Sequence, residues 1–320
     1  MSGATATGVV ALAGGVGAAR LLRGLVRAVP AESITAIVNT GDDRRFYGVH
    51  VSPDLDIVTY TLAGVVDRQK GYGLVGDAHR VIDRLEALGH ETWFRLGDQD
   101  FANCLHRTLR LGQGAGLAEV ADELRRAYAV PIRILPMSED PCPTLIELSG
   151  GTKVHFEEYL ARDGAPDDVQ GVDLSAAAAA RPAPGVVEAI EGARVIVVCP
   201  SNPVVSIGPI LAVPGLREAI ERSAAPVVAI SPIVGGAPVK GPAAQLLRGT
   251  GREVSALGVA RLYAGLADAF VLDRRDAELL PAVEALGLRA VAVDSLMVDA
   301  EASERLARAA LALAGAAPPG

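Results

Sequence analysis

Four carboxylates crowd one short segment of the sequence. Residues 37–56 read IVNTGDDRRFYGVHVSPDLD, and the acids are Asp42, Asp43, Asp54 and Asp56. Carboxylates that lie close together repel one another unless a positive group lies among them. Mg²⁺ suits that role, because it takes one or two protein carboxylates and completes its octahedron with waters and phosphate oxygens. We therefore expect a magnesium ion that bridges the protein to a diphosphate, with Asp43 and Asp54 as the first ligands and Asp56 as the next.

Helix capping is the alternative role for the last two acids. Asp54 or Asp56 could cap the amino terminus of a helix predicted over residues 57–66. Capping would account for one of the two and would leave Asp42 and Asp43 unexplained. In a loop, the even spacing of Asp54 and Asp56 would let both side chains point to one place.

A glycine-rich turn, GGVGAAR at residues 14–20, precedes the acidic segment. Glycines between a strand and a helix let backbone N–H groups approach a phosphate at the positive end of the helix. The dinucleotide fingerprint requires a glycine where Arg20 stands and an acid where Asn39 stands, and no Gly-Lys pair forms a Walker loop. The turn favours a phosphate-bearing ligand without supporting NAD or an ATPase, and a purely structural turn is the alternative.

Three later stretches leave predicted strands through Ser, Pro and Gly. They are LPMSEDPCPT at 135–144, CPSNPVVSIGPIL at 199–211 and ISPIVGGAPVKGPA at 230–243. Such loops expose backbone amides and hydroxyls that can recognise phosphates and heterocycles. Each could be an ordinary turn, but we expect all three at the same edge of the sheet.

The predicted elements that position these loops indicate one α/β domain over residues 1–320. An apolar run at 8–15, a helical pattern at 16–29 and a second run at 34–40 open a Rossmann-like, doubly wound, mainly parallel sheet. Further strands are predicted at 131–137, 194–200, 226–231, 269–274 and 289–295.

Other patterns fill the rest of the chain. Residues 68–130 are predicted as a helical insert or cap, which includes a helix over 74–89 and another that starts near Asp98. Residues 144–160 are predicted as a β-hairpin around two glycines, 161–192 as a loop or mobile stretch, and 301–315 as an amphipathic helix before a frayed tail.

The composition narrows the classes of function. The net charge is −8 with a pI near 5.2, which weighs against general nucleic-acid binding. The three cysteines are scattered, no apolar stretch is long enough for a membrane span, and the first fifteen residues lack the pattern of a signal peptide. We expect a cytoplasmic protein with no membrane partner. Of the five histidines only His50, within the acidic segment, is a candidate for the site.

Seven motifs in order carry a resemblance to a known family. They are AGGVG (13–17), NTGDD (39–43), SPDLD (52–56), LGDQD (96–100), LPMSEDP (135–141), PSNPVVSIGPI (200–210) and SPIVGGAPVKGPA (231–243). Together they resemble the transferases that join a phosphorylated three-carbon acid to the deazaflavin Fo in the biosynthesis of coenzyme F-420. The motifs run almost from end to end of the chain.

The resemblance implies a Mg²⁺-dependent transfer from a guanosine diphosphate ester to Fo. The donor would carry phosphoenolpyruvate or 2-phospholactate, GMP would leave, and the product would be dehydro-F-420-0 or F-420-0. The composition, rich in arginine and alanine, is typical of actinobacteria and favours the phosphoenolpyruvate form. The family also implies a homodimer.

By the same resemblance, Asp54 and Arg95 would hold Fo. Asp54 and Asp56 are the catalytic candidates, since a carboxylate could orient or deprotonate the attacking hydroxyl. We expect the nucleotide along the glycine turn, the end of the second strand and two loops, at Gly15, Gly17, Asn39, Ser201, Asn202 and Ser231.

Two other functions compete with the transferase. A non-catalytic regulator that binds nucleotide sugars and resembles the gluconeogenesis factor would share the glycine turn and the paired acids, but not SPDLD together with LGDQD. A nicotinamide dehydrogenase would need the glycine and the ribose-binding acid that this chain lacks.

Overall fold

The structure is a computed structural model that describes residues 8–315. The strands are β1 (Val9–Ala13), β2 (Ile34–Val38), β3 (Arg44–Phe46), β4 (Val49–Val51), β5 (Arg133–Pro136), β6 (Leu145–Leu148), β7 (Lys153–His155), β8 (Val169–Asp173), β9 (Val195–Val198), β10 (Val227–Ile230), β11 (Ile233–Val234), β12 (Ala237–Pro238), β13 (Ala269–Asp273) and β14 (Arg289–Val293). The helices are α1 (Gly15–Ala28), α2 (Pro53–Leu62), α3 (Arg80–Ala87), α4 (Asp98–Gly112), α5 (Leu117–Ala127), α6 (Ser175–Ala178), α7 (Val186–Glu191), α8 (Ile207–Ala212), α9 (Leu216–Arg222), α10 (Ala243–Gly249), α11 (Ala256–Tyr263), α12 (Leu280–Glu284) and α13 (Ala300–Leu313).

The central sheet is parallel throughout its seven strands, which lie in the order β5-β2-β1-β9-β10-β13-β14. The chain winds outward from β1 in one direction and then from β9 in the other. The topological switch point therefore lies between β1 and β9, where doubly wound sheets bind ligands beyond the carboxyl ends of their strands. The predicted Rossmann-like fold is confirmed.

Both faces of the sheet are covered by helices, so the central strands are apolar on both sides. Val10 and Leu12 of β1 pack towards α7, α8, α9 and α11. Val9 and Ala11, which alternate with them, pack towards α1, α2, α5 and α13. This double burial explains why β1, β2 and β9 are near-continuous runs of Val, Ile, Leu and Ala.

Residues 68–130 contain α3, α4 and α5, but these helices differ in what they pack on. Ile82 of α3 and Cys104 of α4 join Phe46 of the β3-β4 hairpin in a separate small hydrophobic cluster. By contrast, Leu117 and Ala121 of α5 belong to the helix layer on the sheet. The extent of the insert as a unit of its own stays a prediction.

Two predicted stretches were wrong in detail. The helix expected over 74–89 forms only at Arg80–Ala87, because Gly76 has a φ of +70° that a helix cannot continue. Val75, before the helix that forms, and Leu88, directly after it, are both exposed. The stretch 161–192, expected as a loop, contains β8, α6 and α7.

The hairpin at 144–160 is confirmed. Strands β6 and β7 pair antiparallel across Gly150 and Gly151, which both have the positive φ that a tight hairpin turn requires. Strand β8 pairs with the other side of β6. Within residues 8–315, no helix has both the length and the apolar composition needed to cross a bilayer.

Helices α1 and α13 approach so closely that one contact depends on a glycine. A Cβ added to Gly24 of α1 would overlap the backbone carbonyl of Ser303 in α13. We expect Gly24→Ala to lower the free energy of unfolding by about 1 to 3 kcal/mol, because the backbone of α13 would have to shift.

The matched control is Gly112→Ala at the end of α4, where an added Cβ meets nothing within 4 Å. That variant should be unchanged or up to about 1 kcal/mol more stable, since alanine is the better helix former. Urea unfolding measures the free energy of unfolding of both variants. Equal effects of the two substitutions would contradict the close packing at Gly24.

Candidate active site at the switch point

Asp54 lies at the centre of the site and is only 3% exposed. It stands in the first turn of α2, directly after Pro53, which starts the helix with Ser52 as the N-cap residue. Its Oδ1 accepts a hydrogen bond from the N–H of Gly15 at 2.7 Å, and its Oδ2 accepts one from Nδ2 of Asn39 at 3.0 Å. One carboxylate thus joins the glycine turn, the end of β2 and α2. Burial raises the pKa of Asp54 to about 7, although both hydrogen bonds oppose the shift.

Asn39, which is fully buried, extends this network to a further loop. Its Oδ1 accepts the N–H of Gly41 at 2.9 Å, and its Nδ2 reaches the carbonyl of Val205 at 3.4 Å. Both ends of the amide are therefore used to set the backbone around the switch point.

Asp43 and Asp42 supply carboxylate oxygens that have no donor. Oδ2 of Asp43 accepts from Ser52 Oγ at 2.6 Å and lies 3.1 Å from Nε2 of His50. Oδ1 of Asp43 and Oδ1 of Asp42 are buried without a hydrogen-bond partner among residues 8–315. Buried polar atoms are normally paired, so these two oxygens are suited to receive a cation.

Glu157 joins the acidic group from a distant part of the chain, and the sequence did not identify it. It follows β7 and is 7% exposed. Burial, together with the charge of Asp54, raises the pKa of Glu157 to about 8. Burial and the charges of Asp54 and Glu157 likewise raise the pKa of Asp42 well above its usual value. The adjacent acids Glu157 and Glu158, near the end of the predicted hairpin, were the only signal in the sequence.

Asp56 points away from this group, so the expectation that Asp54 and Asp56 converge was wrong. The two residues lie in one helix, where a separation of two positions turns the side chain by about 200°. The capping role was also wrong, because Ser52 is the N-cap residue. Asp56 forms an ion pair with Arg107 of α4, and burial raises the pKa of the Asp56 carboxyl against the effect of that arginine.

Arg107 connects the helices of residues 68–130 to the acidic segment. Its side chain is 1% exposed, and besides Asp56 it donates to the carbonyl of His50 at 3.2 Å. It therefore holds both the start of α2 and strand β4. Beside it, ligand atoms of Asp56, Asp100 and Cys104 lie within 4.8 Å of one another. Burial raises the pKa of the Cys104 thiol, which keeps it protonated.

The glycine turn is held against the loop that follows β9. Ser201 Oγ donates to the carbonyl of Gly14 at 2.7 Å and accepts its N–H at 3.2 Å. A Cβ on Gly17 would overlap the carbonyl of Pro200, so this close approach requires glycine. Gly15 adopts a φ of +66°, which also favours glycine.

Asn202 and Ser231 are used inside their own loops. Asn202 Oδ1 accepts the N–H groups of Val204 and Val205 at 2.9 and 3.3 Å. Ser231 Oγ donates to the carbonyl of Ile233 at 3.0 Å and accepts its N–H at 3.1 Å. These side chains shape the loops, and their contact with a nucleotide stays a prediction.

Arg95 is the predicted site residue that lies apart. It is exposed and pairs with Asp83 at 2.5 Å and Glu86 at 3.4 Å, both on α3. Among the described residues it makes no hydrogen bond to Asp54. Its role in holding Fo stays a prediction.

The fold and the site define a Rossmann-like α/β protein with a buried group of carboxylates at the topological switch point of its sheet. A family model described as 2-phospho-L-lactate transferase CofD matches residues 9–311. The chain belongs to this family and is a transferase. The resemblance drawn from the seven motifs is confirmed.

The relatives cover almost the whole chain. A phosphoenolpyruvate transferase of Streptomyces griseus is 47% identical over 311 residues, which are 96% of this chain and 98% of the relative. A 2-phospho-L-lactate transferase of Methanosarcina acetivorans is 40% identical over 299 residues, or 93% and 96% of the two chains. A crystal structure of a UPF0052 family member from Bacillus halodurans matches with a TM-score of 0.65 at 21% identity, covering 97% of this chain and 100% of that one. This structural likeness concerns the fold alone.

Replacement of Arg107 should destabilise the folded protein. We expect Arg107→Met to lower the free energy of unfolding by about 3 to 5 kcal/mol, because Asp56 would remain buried without its partner. Arg107→Lys should lower the free energy of unfolding by less, since lysine keeps the positive charge beside Asp56. The control is Arg217→Met, which removes an exposed pair with Glu221 and should cost at most about 0.5 kcal/mol. If Arg107→Met unfolded in urea like this control, the ion pair would not anchor the site.

Proposed function

We propose that the chain transfers a phosphoenolpyruvyl group from its guanosine diphosphate ester to Fo and releases GMP. The observation that carries the proposal is the position of Asp54, which bonds to the glycine turn and to Asn39 beside carboxylate oxygens that have no donor. The choice of phosphoenolpyruvate over 2-phospholactate is supported by the higher identity to the Streptomyces relative, 47% against 40%.

Asp43 and Asp54 are the side chains that would hold Mg²⁺, with Asp42 next to them. The fit is supported by the free Oδ1 atoms of Asp43 and Asp42 and by the preference of Mg²⁺ for carboxylate oxygen. When bound, the ion would neutralise the diphosphate and stabilise the leaving GMP. Asp56 is a weaker candidate, because Arg107 already neutralises it.

The glycine turn suits the diphosphate of the donor. Helix α1 begins there without an acidic residue in its first turn, and its amino terminus carries partial positive charge. At Gly14 and Gly17 an added Cβ would overlap Ser206 and Pro200, so these two glycines pack the turn closely against the loop after β9, whereas an added Cβ on Gly15 would meet only Oδ1 of Asp54 at 3.7 Å. Positioning and charge stabilisation are the main requirements of phosphoryl transfer.

Asp54 is the residue we assign to the attacking hydroxyl. A hydroxyl of Fo attacks the phosphorus that bears the acid, a P–O bond to Fo forms, and the P–O bond to GMP breaks. The hydroxyl proton passes to a carboxylate of the site. The carboxylate of Asp54, buried beside the glycine turn, could orient that hydroxyl or accept its proton. Asp56 has an indirect, positioning role, because its ion pair with Arg107 fixes the helix that carries Asp54.

Substitution of Asp54 tests the assignment. We expect Asp54→Asn to lower the rate of product formation by about 10² to 10⁴-fold, the usual contribution of a general base. Mass spectrometry of the product from Fo and each donor type measures the rate and identifies the transferred acid. The control is Asp167→Asn, whose exposed pair with Arg248 lies outside the site.

Near-normal turnover of a folded Asp54→Asn protein would overturn the assignment of Asp54. Calorimetry addresses the competing regulator: affinity for nucleotide sugars with none for Fo would favour that function instead. The cytoplasmic location and the homodimer stay predictions.

A further inference from the structure

A group of four cations comes from α1 and from the two loops that contain Arg68 and Lys240. Its members are Arg20, Arg23, Arg68 and Lys240, and among residues 8–315 none of them has a carboxylate within salt-bridge distance. Arg23 donates to Ser303 Oγ, but its Nε is buried without a partner. Burial and the charges of Arg20 and Arg68 lower the pKa of Arg23, and the charges of Asp299 and Glu301 oppose that shift.

Lys240 is fixed at the first turn of α1 by contacts that leave its charge unpaired. Its Nζ donates to the carbonyl of Lys70 at 2.5 Å and lies 5.7 Å from the ring centroid of Tyr72. A Cβ on Gly71 would lie 3.1 Å from this Nζ and 3.3 Å from Cγ1 of Val16. Lys240 Nζ and Val16 thus both lie against Gly71, and Val16 stands between Gly15 and Gly17 of the turn.

The loop that carries Lys240 is itself held in shape. It contains the short β11-β12 ribbon, and the N–H groups of Gly235 and Gly236 bond to the buried carboxylate of Asp276 at 2.8 and 3.2 Å. The loop thus presents Lys240 from a rigid base rather than from a free chain.

Arg20 extends the positive charge along the same helix face. It stands four residues after Val16, and positions four apart are neighbours on a helix surface. The charge of Arg20 contributes to a lowered pKa of Lys240, after the larger effect of burial. Cations gathered at the positive end of a helix repel one another and the helix dipole, and an anion would relieve that repulsion.

We propose that Lys240 and Arg20 form an anion subsite for the acid-bearing end of the donor. The proposal rests on the proposed function and specifies which residues receive the charge that Mg²⁺ leaves uncompensated. The chemistry recognised is an anionic oxygen group, which could be a phosphate of the diphosphate or the carboxylate of the three-carbon acid. Arg23 and Arg68 add to the positive potential.

Calorimetric titration of Lys240→Met tests the subsite with four probes: pyrophosphate, GMP, GDP and phosphoenolpyruvate, all at the same Mg²⁺ concentration. Loss of a charged hydrogen bond should weaken the affected probe on the order of 10- to 100-fold. The matched control is Lys153→Met, which removes the same charge from an exposed group paired with Glu147 and Asp173 on the β6-β7-β8 sheet. Arg20→Met should act in the same direction as Lys240→Met.

The probes distinguish the two sources of the anion. Weaker binding of pyrophosphate and GDP, with unchanged binding of GMP, would assign the subsite to the phosphate. Weaker binding of phosphoenolpyruvate, with unchanged binding of GDP, would assign the subsite to the carboxylate. Wild-type affinity for all four probes in Lys240→Met, or an equal loss in Lys153→Met, would overturn the proposal.

The outcome is separable from that of the proposed function. If pyrophosphate binding depends on Lys240 but no product forms from Fo with either donor, the subsite stands and the transferase assignment fails. If wild type forms product and Lys240→Met forms it at the same rate and the same donor KM, the subsite fails and the transferase assignment stands.

Discussion

The hydrogen bonds of one buried carboxylate set the geometry of the switch point. Asp54 accepts from the backbone of Gly15 and from the side chain of Asn39, and so it fixes the turn after β1 relative to the end of β2. Ser201 fixes the same turn relative to the loop after β9. Three adjacent strands of the sheet therefore end in loops whose relative positions depend on two polar side chains. Burial disfavours the charged form of a carboxylate, which is why the pKa of Asp54 rises to about 7.

Two groups of charge lie near the switch point. Asp42, Asp54 and Glu157 are close enough to affect one another's pKa, and so are Lys240 and Arg20. An acidic group alone would suit a metal ion, and a basic group alone would suit an anion. A metal-bound diphosphate ester carries both kinds of charge, so it matches the whole arrangement. Arg107 stands outside this pattern, because its charge is matched by Asp56 and serves to hold α2 in place.

The sheet and the acidic segment could be predicted from the sequence because both depend on local patterns. Apolar runs followed by glycine turns predict parallel strands, and the crowded aspartates are visible directly. The direction of Asp56 could also have been predicted, since Ser52 followed by Pro53 is typical of a helix start and would have placed Asp54 and Asp56 in one turn. The prediction of a helix over residues 57–66 put its start four residues late.

The remaining features depend on contacts between distant residues. Arg107 reaches Asp56 across 51 positions, and Lys240 reaches the carbonyl of Lys70 across 170. Nothing in the local sequence around Arg107 distinguishes it from Arg110, the other arginine of the same helix, which is half-buried. Glu157 is likewise one of two adjacent glutamates, and only the packing of its hairpin against the acidic segment decides which one is buried.

The most direct test of the central claim is anomalous diffraction from a crystal of this protein with Mn²⁺ and GDP. The account predicts one ion that contacts Asp43, Asp54 and the diphosphate, with the diphosphate at the first turn of α1. An ion held by Asp56 and Asp100 instead, or a diphosphate bound away from the glycine turn, would contradict it.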